Sequence, residues 1–208
     1  MTPHMLDPFG NSWLLYVGAA AAYLLGSIPF GLVLTQMAGA GDIRRIGSGN
    51  IGATNVLRTG RKGLAALTLL LDTGKGTGAV LIGSRFGVEM AIVAGASVLV
   101  GHLFPIWLRF KGGKGVATAG GVFFALSWPV GLATFATWLA VAVITRYSSL
   151  AALTAAALAP VYAFLFADRP RTATIAALAL LVALRHHGNV RRLLRGEETK
   201  IELTGSKS

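Results

Sequence analysis

The stretch VATAGGVFFALSWPVGLATFATWLAVAVIT, residues 116–145, decides how many times the chain crosses a membrane, and it carries no charge. As one helix it would be about 45 Å long, well beyond the roughly 30 Å apolar core of a bilayer. As two helices broken near Ser127-Trp128-Pro129, each piece would fall short of the ~17 residues that a span usually needs. The stretch alone therefore leaves both divisions open.

The rest of the chain has the composition of a polytopic membrane protein. Its 208 residues are 54% hydrophobic and 13% charged, whereas a soluble domain carries about 25% charged residues. The N-terminal segment holds no Lys or Arg, so we expect the first apolar run to be a retained span and not a cleaved signal peptide. Cysteine is absent, which excludes disulfides, a thiol nucleophile and thiolate metal sites. The further apolar runs that we interpret as spans cover about 13–38, 63–84, 88–108, 150–167 and 172–184.

The distribution of cations favours dividing residues 116–145 into two helices. With seven spans, 15 of the 19 Lys and Arg residues lie on one side, three lie on the other, and Lys75 lies inside a span. With six spans, the two sides hold ten and eight. The positive-inside rule therefore predicts an all-α integral membrane protein with seven transmembrane helices, an extracytoplasmic N-terminus and a cytoplasmic C-terminus. The same rule, with a need for anionic substrate, explains the net charge of +11 without nucleic acid.

The first segment that carries chemistry is GSGNIGATN, residues 47–55. Its glycines would let the backbone approach a ligand closely, and its hydroxyls and amides offer further hydrogen bonds. Five flanking cations supply positive charge: Arg44, Arg45, Arg58, Arg61 and Lys62. The pattern predicts a loop that cradles phosphate, although it lacks the Walker signature. The alternative is an ordinary turn between two apolar segments.

The second such segment is KGGKG, residues 111–115. Two ammonium groups flank backbone that carries no Cβ atoms, which suits an anion lying against main-chain N–H groups. If Val116 begins a helix, the N-terminal end of its dipole adds attraction for an anion. The alternative is a cytoplasmic anchor loop that only fixes topology.

Polar residues also mark the last and second spans. His186-His187-Gly188-Asn189 offers imidazole and carboxamide groups for a hydroxyl or a phosphate oxygen, or else caps a helix end. Metal binding is disfavoured, because adjacent histidines point apart on a helix and carboxylates are few. The second span contains Asp72 and Lys75, three residues apart. This spacing favours a structural ion pair over a role in a transport path. We interpret His102 and Pro105 as packing or helix-bending residues.

Three clusters in this order resemble the bacterial acyl-phosphate:glycerol-3-phosphate acyltransferase family (PlsY). They are residues 47–55 with Arg58, residues 111–118, and residues 186–189 followed by Gly196-Glu197-Glu198. Gly26-Ser27-Ile28-Pro29 and the Leu71-Asp72 and Lys75-Gly76 pairs also look like family patterns, so the similarity covers nearly the whole chain. The family usually has Gly-Thr-Glu where this chain has Gly196-Glu197-Glu198, and His187 stands where other residues are common.

The resemblance implies one membrane-embedded acyltransferase domain over residues 1–208, with seven helices and cytoplasmic motif segments at about 39–62, 109–118 and 185–202. It implies transfer of a fatty acyl group from acyl phosphate to the 1-hydroxyl of glycerol 3-phosphate in the bacterial cytoplasmic (inner) membrane. Lysophosphatidic acid and phosphate are the products, as the first acylation of phospholipid synthesis. The mixed anhydride is already activated, so no cofactor, metal or covalent intermediate is expected. The implied partners are the two substrates and membrane lipids, with no nucleic acid.

The resemblance also implies roles for individual residues. The implied catalytic residues are Ser48, Arg58, Lys114, His186 and Asn189. The implied substrate-binding residues are Arg45, Gly47, Gly49, Asn50, Gly52, Thr54, Asn55, Lys111, Gly112, Gly113 and Gly115. Of these, Lys111, Lys114 and their glycines are assigned to glycerol 3-phosphate, and the first loop with Arg58 to acyl phosphate or to the nucleophile. Asp72, Lys75 and Glu198 are expected to be structural. Glu198 either belongs with Glu197 to a solvated charge cluster in the basic tail or pairs with a loop arginine.

Two other functions fit parts of the sequence. A small-anion transporter would use Asp72, Lys75 and the broken spans as a midplane site, but no internal repeat is evident. A non-catalytic scaffold would use the basic face to bind anionic lipid or a partner enzyme. The His-x-x-x-x-Asp pair of the soluble-donor acyltransferases follows none of the four histidines, which disfavours acyl-CoA as the donor.

Overall fold

The computed structural model describes residues 12–201, and these residues form helices, turns and loops without a β-strand. The predicted position of the N-terminus falls on residues 1–11, outside the described range. The all-α prediction is confirmed for the described residues. Their ten α-helices are α1 Ser12–Gly26, α2 Phe30–Met37, α3 Ala53–Leu57, α4 Lys62–Ser84, α5 Val88–Leu103, α6 Val116–Leu126, α7 Trp128–Thr145, α8 Ser148–Phe166, α9 Arg169–Arg185 and α10 His187–Leu194.

Five segments are long and apolar enough to span a membrane: Trp13–Met37, Lys62–Ser84, Val88–Leu108, Trp128–Thr145 and Ser148–Phe166. The pair α9 and α10, bent by 56°, would make a sixth. The first segment breaks between Gly26 and Phe30, where Pro29 stands directly before α2. A protein with five to six candidate spans is thus established within residues 12–201, and seven crossings remain a prediction.

The uncharged stretch 116–145 divides at Ser127, as predicted. Ser127 has an extended backbone between α6 and α7, and Pro129 occupies the first turn of α7, where its missing N–H costs nothing. A Cβ on Gly131 would lie 2.3 Å from Cα of Phe124, whereas residues seven apart in one helix are separated by about 10 Å. The chain therefore reverses here into a tight helical hairpin. The 11 residues of α6 are about 16 Å long, shorter than the roughly 30 Å apolar core of a bilayer, so α6 is not among the five long segments.

Glycines let the helices approach one another closely. On α6 against α4, a Cβ on Gly121 would lie 2.1 Å from the carbonyl oxygen of Thr73, and one on Gly76 2.4 Å from that of Thr118. On α1 against α5, a Cβ on Gly26 would lie 2.1 Å from the carbonyl oxygen of Val98. Because lipid offers no hydrophobic drive for association, close backbone contact of this kind holds membrane helices together.

Contacts between distant residues gather the polar segments at one end of the bundle. Thr54 in α3 lies 3.2 Å from the hydroxyl of Ser148 at the start of α8. Arg58 donates to Thr199, and the N–H of Ile201 donates to the carbonyl of Arg146 at 2.7 Å. We call this the polar end: it holds both glycine-rich loops, the α7–α8 junction and the C-terminal segment. At the opposite end, Ser127 donates to the carbonyl of Phe166.

Candidate active site

Asn55 shapes the first loop from within. Its buried amide nitrogen donates to the carbonyls of Ile43 (2.7 Å) and Asn50 (2.8 Å). Its oxygen accepts from the N–H of Ser48 at 3.2 Å. The amide is thus used by the loop itself, while the exposed Ser48 hydroxyl lies 3.5 Å from the same oxygen. Asn55 therefore fixes the position of Ser48, and binding of substrate by Asn55 itself remains a prediction.

Arg58 lies directly against Gly47. A Cβ on Gly47 would lie 2.7 Å from Cδ of Arg58 and 2.8 Å from one of its terminal nitrogens. Gly47 also has a φ of 54°, in the left-handed region that other residues rarely adopt. A side chain at position 47 would therefore displace the guanidinium that we expect to meet a phosphate.

The two arginines before the loop differ from one another. Arg44 forms a forked pair with Asp42, with Nε and a terminal nitrogen within 3.0 Å of the carboxylate oxygens. These hydrogen bonds lower the pKa of Asp42 to about 2. Arg44 is therefore neutralised locally, whereas Arg45 is exposed and makes no ion pair within residues 12–201. The predicted set of five available cations is in this respect too large.

The backbone of the second loop differs from the predicted anion cradle. The N–H groups of Gly112 and Gly113 donate to the carbonyls of Leu103 (3.2 Å) and His102 (3.1 Å) at the end of α5. A Cβ on Gly113 would lie 2.3 Å from Nε2 of His102, so this glycine is needed for close packing. The N–H groups of residues 114–118, which include Val116 and Ala117 in the first turn of α6, have no acceptor among the described residues and are available to an anion.

Arg185, at the end of α9, binds the second loop. It was not among the residues predicted from the sequence. It donates to the carbonyls of Gly112 (3.1 Å) and Gly113 (3.3 Å) and lies over the ring of Phe104, 5.3 Å from its centre. Its basic residue type and its place beside His186 were the available signals. Its partners lie more than seventy positions away, so no local pattern could identify them.

Lys114 follows these glycines and lies at the centre of the candidate site. The pKa of Lys114 is lowered to about 8, chiefly by burial; Glu198 opposes the shift, and the nearby Arg192, Arg58 and Arg185 add to it. One carboxylate near three guanidinium groups compensates the charge of the Lys114 ammonium group only in part. Lys114 is therefore prepared to receive an anion with several negative charges.

The third motif closes the site from the side of α9 and α10. His186 is buried, and its Nδ1 lies 2.7 Å from the carbonyl of Val182. A carbonyl only accepts, so Nδ1 carries the proton and the neutral ring leaves Nε2 as an acceptor. Asn189 is also buried and donates to Glu198 at 2.9 Å. Glu198 in turn accepts from Arg192 at 2.8 Å, a residue of α10 and not the loop arginine that we expected.

A groove of about 590 Å³ opens between the first and second loops. Its cationic lining comes from Arg109, Lys111 and Arg185, and Arg44, which pairs with Asp42, also lines it. Lys114 is not among the lining residues. Its charged neighbours are Arg58, Arg192, Glu198 and Arg185, and Arg185 also lines the groove. The polar end thus has two cationic regions, one around Lys111 and one around Lys114, which adjoin at Arg185.

Asp72 and Lys75 form a buried ion pair at 2.8 Å beneath the loops. Lys75 also donates to the carbonyl of Ile28 at 2.9 Å, at the break between α1 and α2. His102, whose contacts the sequence did not reveal, places Nδ1 3.6 Å from Asp72 and its other ring nitrogen against Gly113. The cluster connects three helices to the second loop, which supports the expected structural role of the pair.

The structure brings most of the predicted site residues to the polar end. Thr54 reaches α8, Arg58 reaches the C-terminal segment, and Gly115 begins α6 with a φ of 81°. Asn50 accepts from the N–H of Ile51, and Gly49 and Gly52 lie in the same loop. No group of three or more His, Cys, Asp or Glu residues that could hold a metal occurs between residues 12 and 201.

Comparison with known proteins gives a consistent result. The sequence model of a family described as glycerol-3-phosphate acyltransferase matches residues 16–196. A glycerol-3-phosphate acyltransferase of Rhodospirillum rubrum is 58% identical over 90% of this chain and 91% of its own length. One of Brucella canis is 54% identical over 97% of this chain and all of its own length.

Two solved structures have a similar fold. Both are of PlsY (YgiH), an integral membrane glycerol 3-phosphate acyltransferase. The glycerol 3-phosphate form superposes with a TM-score of 0.85 at 39% identity, covering 91% of this chain and 96% of that chain. The lysophosphatidic acid form gives a TM-score of 0.82 at 38% identity, covering 90% and 95%.

Proposed function

Because the chain belongs to the glycerol-3-phosphate acyltransferase family, we propose that it uses acyl phosphate to acylate the 1-hydroxyl of glycerol 3-phosphate. The observation that carries this proposal is the meeting of three basic segments, far apart in sequence, at one end of an apolar bundle. Arg58 reaches Thr199, and Arg185 reaches Gly112, so the segments share one site. Both substrates bear a phosphate, and the cations of the three segments at the polar end can receive both anions.

In the proposed reaction, the 1-hydroxyl oxygen attacks the carbonyl carbon of the acyl phosphate. The tetrahedral intermediate then collapses, the bond between that carbon and the phosphate oxygen breaks, and inorganic phosphate leaves. The hydroxyl proton passes to an oxygen of the departing phosphate. Catalysis rests on holding two anions together and on stabilising the developing oxyanion, so a covalent enzyme intermediate is unnecessary.

The contacts support specific roles. Lys114, with the free N–H groups of Val116 and Ala117, is placed to hold the phosphate of glycerol 3-phosphate. Ser48 and Arg58 are placed to hold the acyl phosphate, with Asn55 fixing Ser48. Before the attack, Nε2 of His186 can accept a hydrogen bond from the 1-hydroxyl and orient its oxygen; the proton then turns to the oxygen of the departing phosphate. Lys111 lines the groove and would be the first residue there to bind the phosphate of incoming glycerol 3-phosphate.

The membrane placement is part of the same proposal. Seven helices cross the bacterial cytoplasmic membrane, with the short α6 as one crossing, and the polar end faces the cytoplasm. The excess of cations at the polar end supports this orientation. Glycerol 3-phosphate then enters from the cytoplasm, and the acyl chain stays between the apolar helices.

The test is an acyl transfer assay on the full-length protein in detergent, with labelled glycerol 3-phosphate and either palmitoyl phosphate or palmitoyl-CoA. We expect labelled lysophosphatidate and free phosphate in equal amounts from palmitoyl phosphate, and no product from palmitoyl-CoA. Ser48→Ala and Arg58→Ala should each remove most of the activity, whereas a scaffold protein would tolerate both changes.

His186→Ala separates two ways of moving the proton. Measurable residual turnover is expected if the phosphate oxygen takes it, because His186 then only orients the hydroxyl. Turnover at background with unchanged substrate binding would instead identify His186 as the base. Absence of labelled lysophosphatidate from well-folded protein with either donor would overturn the proposed function.

A further inference from the structure

Helix α10 presents two different faces at the polar end. It leaves α9 at an angle of 56°, directly after the buried His186. One face is turned to the protein and carries Asn189, which is 3% exposed, and Arg192, which pairs with Glu198. This face belongs to the candidate site.

The other face of α10 is exposed and has an unusual composition. Leu194 is 84% exposed and Val190 is 37% exposed. Arg191 and Arg195 are also exposed, and neither makes a salt bridge within residues 12–201. At 100° per residue, the two apolar side chains share one stripe and the two arginines form a second stripe beside it. We call Val190, Arg191, Leu194 and Arg195 the outer face.

Such an outer face suits the boundary between lipid and water. An almost fully exposed leucine gains no burial in water, and two unpaired arginines would be costly within the acyl chains. At the headgroup level both requirements are met, because leucine reaches the acyl region while arginine meets lipid phosphates. Helix α9 ends at the polar end, where Arg185 meets Gly112, and α10 follows it directly, so α10 lies near that level.

We propose that the outer face of α10 binds anionic phospholipid headgroups at the cytoplasmic surface of the membrane. Charge complementarity selects anionic over zwitterionic lipid, since each arginine near a negative surface contributes about a fivefold change in association. Lipid held there steadies α10, and with it Asn189 and the Arg192–Glu198 pair beside Lys114. The surface charge of the membrane thereby acts on the site through α10.

The binding test uses the absence of cysteine from the chain. Leu194→Cys provides one labelling position in the otherwise complete protein, and a fluorophore there reports its surroundings in nanodiscs. We expect the probe to be quenched by lipids spin-labelled near the headgroup, and more strongly in phosphatidylglycerol than in phosphatidylcholine alone. Lys200→Cys, exposed on the C-terminal segment, is the matched control and should stay in water. A probe at position 194 that is equally unquenched in both lipids overturns the proposal.

The functional test compares two double variants of equal net charge. Arg191→Gln with Arg195→Gln removes the cations of the outer face, and Arg85→Gln with Arg169→Gln removes two cations at the opposite end. In nanodiscs, we expect wild type and the second double variant to gain activity with phosphatidylglycerol, and the first to lose most of that dependence. Equal dependence in all three proteins contradicts the proposal. If no nanodisc supports acyl transfer, the proposed function fails, while the probe at position 194 still decides this inference.

Discussion

Lys114 is the residue whose ionisation should control activity. Burial lowers its pKa to about 8, and the protonated form is the one that attracts phosphate. As the pH rises through 8 the ammonium group loses its proton, so kcat/KM for glycerol 3-phosphate should fall about tenfold per pH unit above that value. An ordinary lysine would hold its charge to about pH 10.4. The measurement is the pH profile of initial rates at low glycerol 3-phosphate, corrected for hydrolysis without enzyme.

Lys114→Ala should remove this alkaline limb and raise KM for glycerol 3-phosphate about 10- to 100-fold, the effect of losing one charged hydrogen bond. Lys62→Ala, which removes an exposed lysine at the start of α4, should leave both quantities unchanged. A wild-type rate that stays constant to pH 10, or a limb that survives in Lys114→Ala, would assign the titration elsewhere.

At this scale the sequence predicted residue types better than partners. Short glycine-rich segments with flanking cations were the reason to select Gly47, Arg58 and Lys114, whose roles remain predictions. Nothing local indicated that Asp42 would neutralise Arg44 or that Arg185 would hold the second loop. Those pairings depend on where the chain places residues in space, and the carbonyls that Arg185 meets carry no sequence signal at all.

The helices of this protein depend on close backbone contact, and two adjacent glycines of α6 allow a controlled test. A Cβ on Gly121 would lie 2.1 Å from the carbonyl of Thr73 in α4, whereas nothing lies within 4 Å of one on Gly120. Gly121→Ala should therefore force α6 away from α4 and cost about 1–3 kcal/mol. In thermal unfolding followed by tryptophan fluorescence, we expect a midpoint several degrees lower, at about 2–4 °C per kcal/mol.

Gly120→Ala is the control for the alanine side chain itself. It should leave the midpoint unchanged or raise it slightly, because alanine favours the helical backbone. Equal loss of stability in the two variants would mean that helix flexibility, and not contact with α4, explains the glycines.

At the scale of elements, the apolar runs predicted the long helices and the break at Ser127. The break was predictable because a helix accepts proline without a kink only in its first turn, and Pro129 stands in the middle of the uncharged stretch. The short helices α3 and α10 were not predicted, since neither has an apolar run long enough to recognise. Both are stabilised by distant contacts, Thr54 with Ser148 and Asn189 with Glu198.

Most of the Lys and Arg residues lie at one end of the molecule, as the count of cations for seven spans predicts. The tight hairpin at Ser127 returns the chain, so that Arg185 meets Gly112 although α6, α7, α8 and α9 lie between them. The seven-crossing arrangement requires an even number of crossings between Gly112 and Arg185, because both lie at the polar end, and four helices lie between them. Sequence alone could not show the contact, because it follows from how all of these helices pack.

Membrane sidedness can be measured directly, again because the chain has no cysteine. Four exposed arginine and lysine positions are suitable for single substitutions: Arg85→Cys, Arg109→Cys, Arg169→Cys and Lys200→Cys. With an impermeant maleimide on intact spheroplasts, we expect labelling at positions 85 and 169 only. Positions 109 and 200 should react after the membrane is opened, because both belong to the polar end. Labelling of every variant in detergent controls for reactivity. A chain in which α6 and α7 made a single crossing would place positions 109 and 200 on opposite sides, so position 200 would then react in intact spheroplasts while position 109 would not.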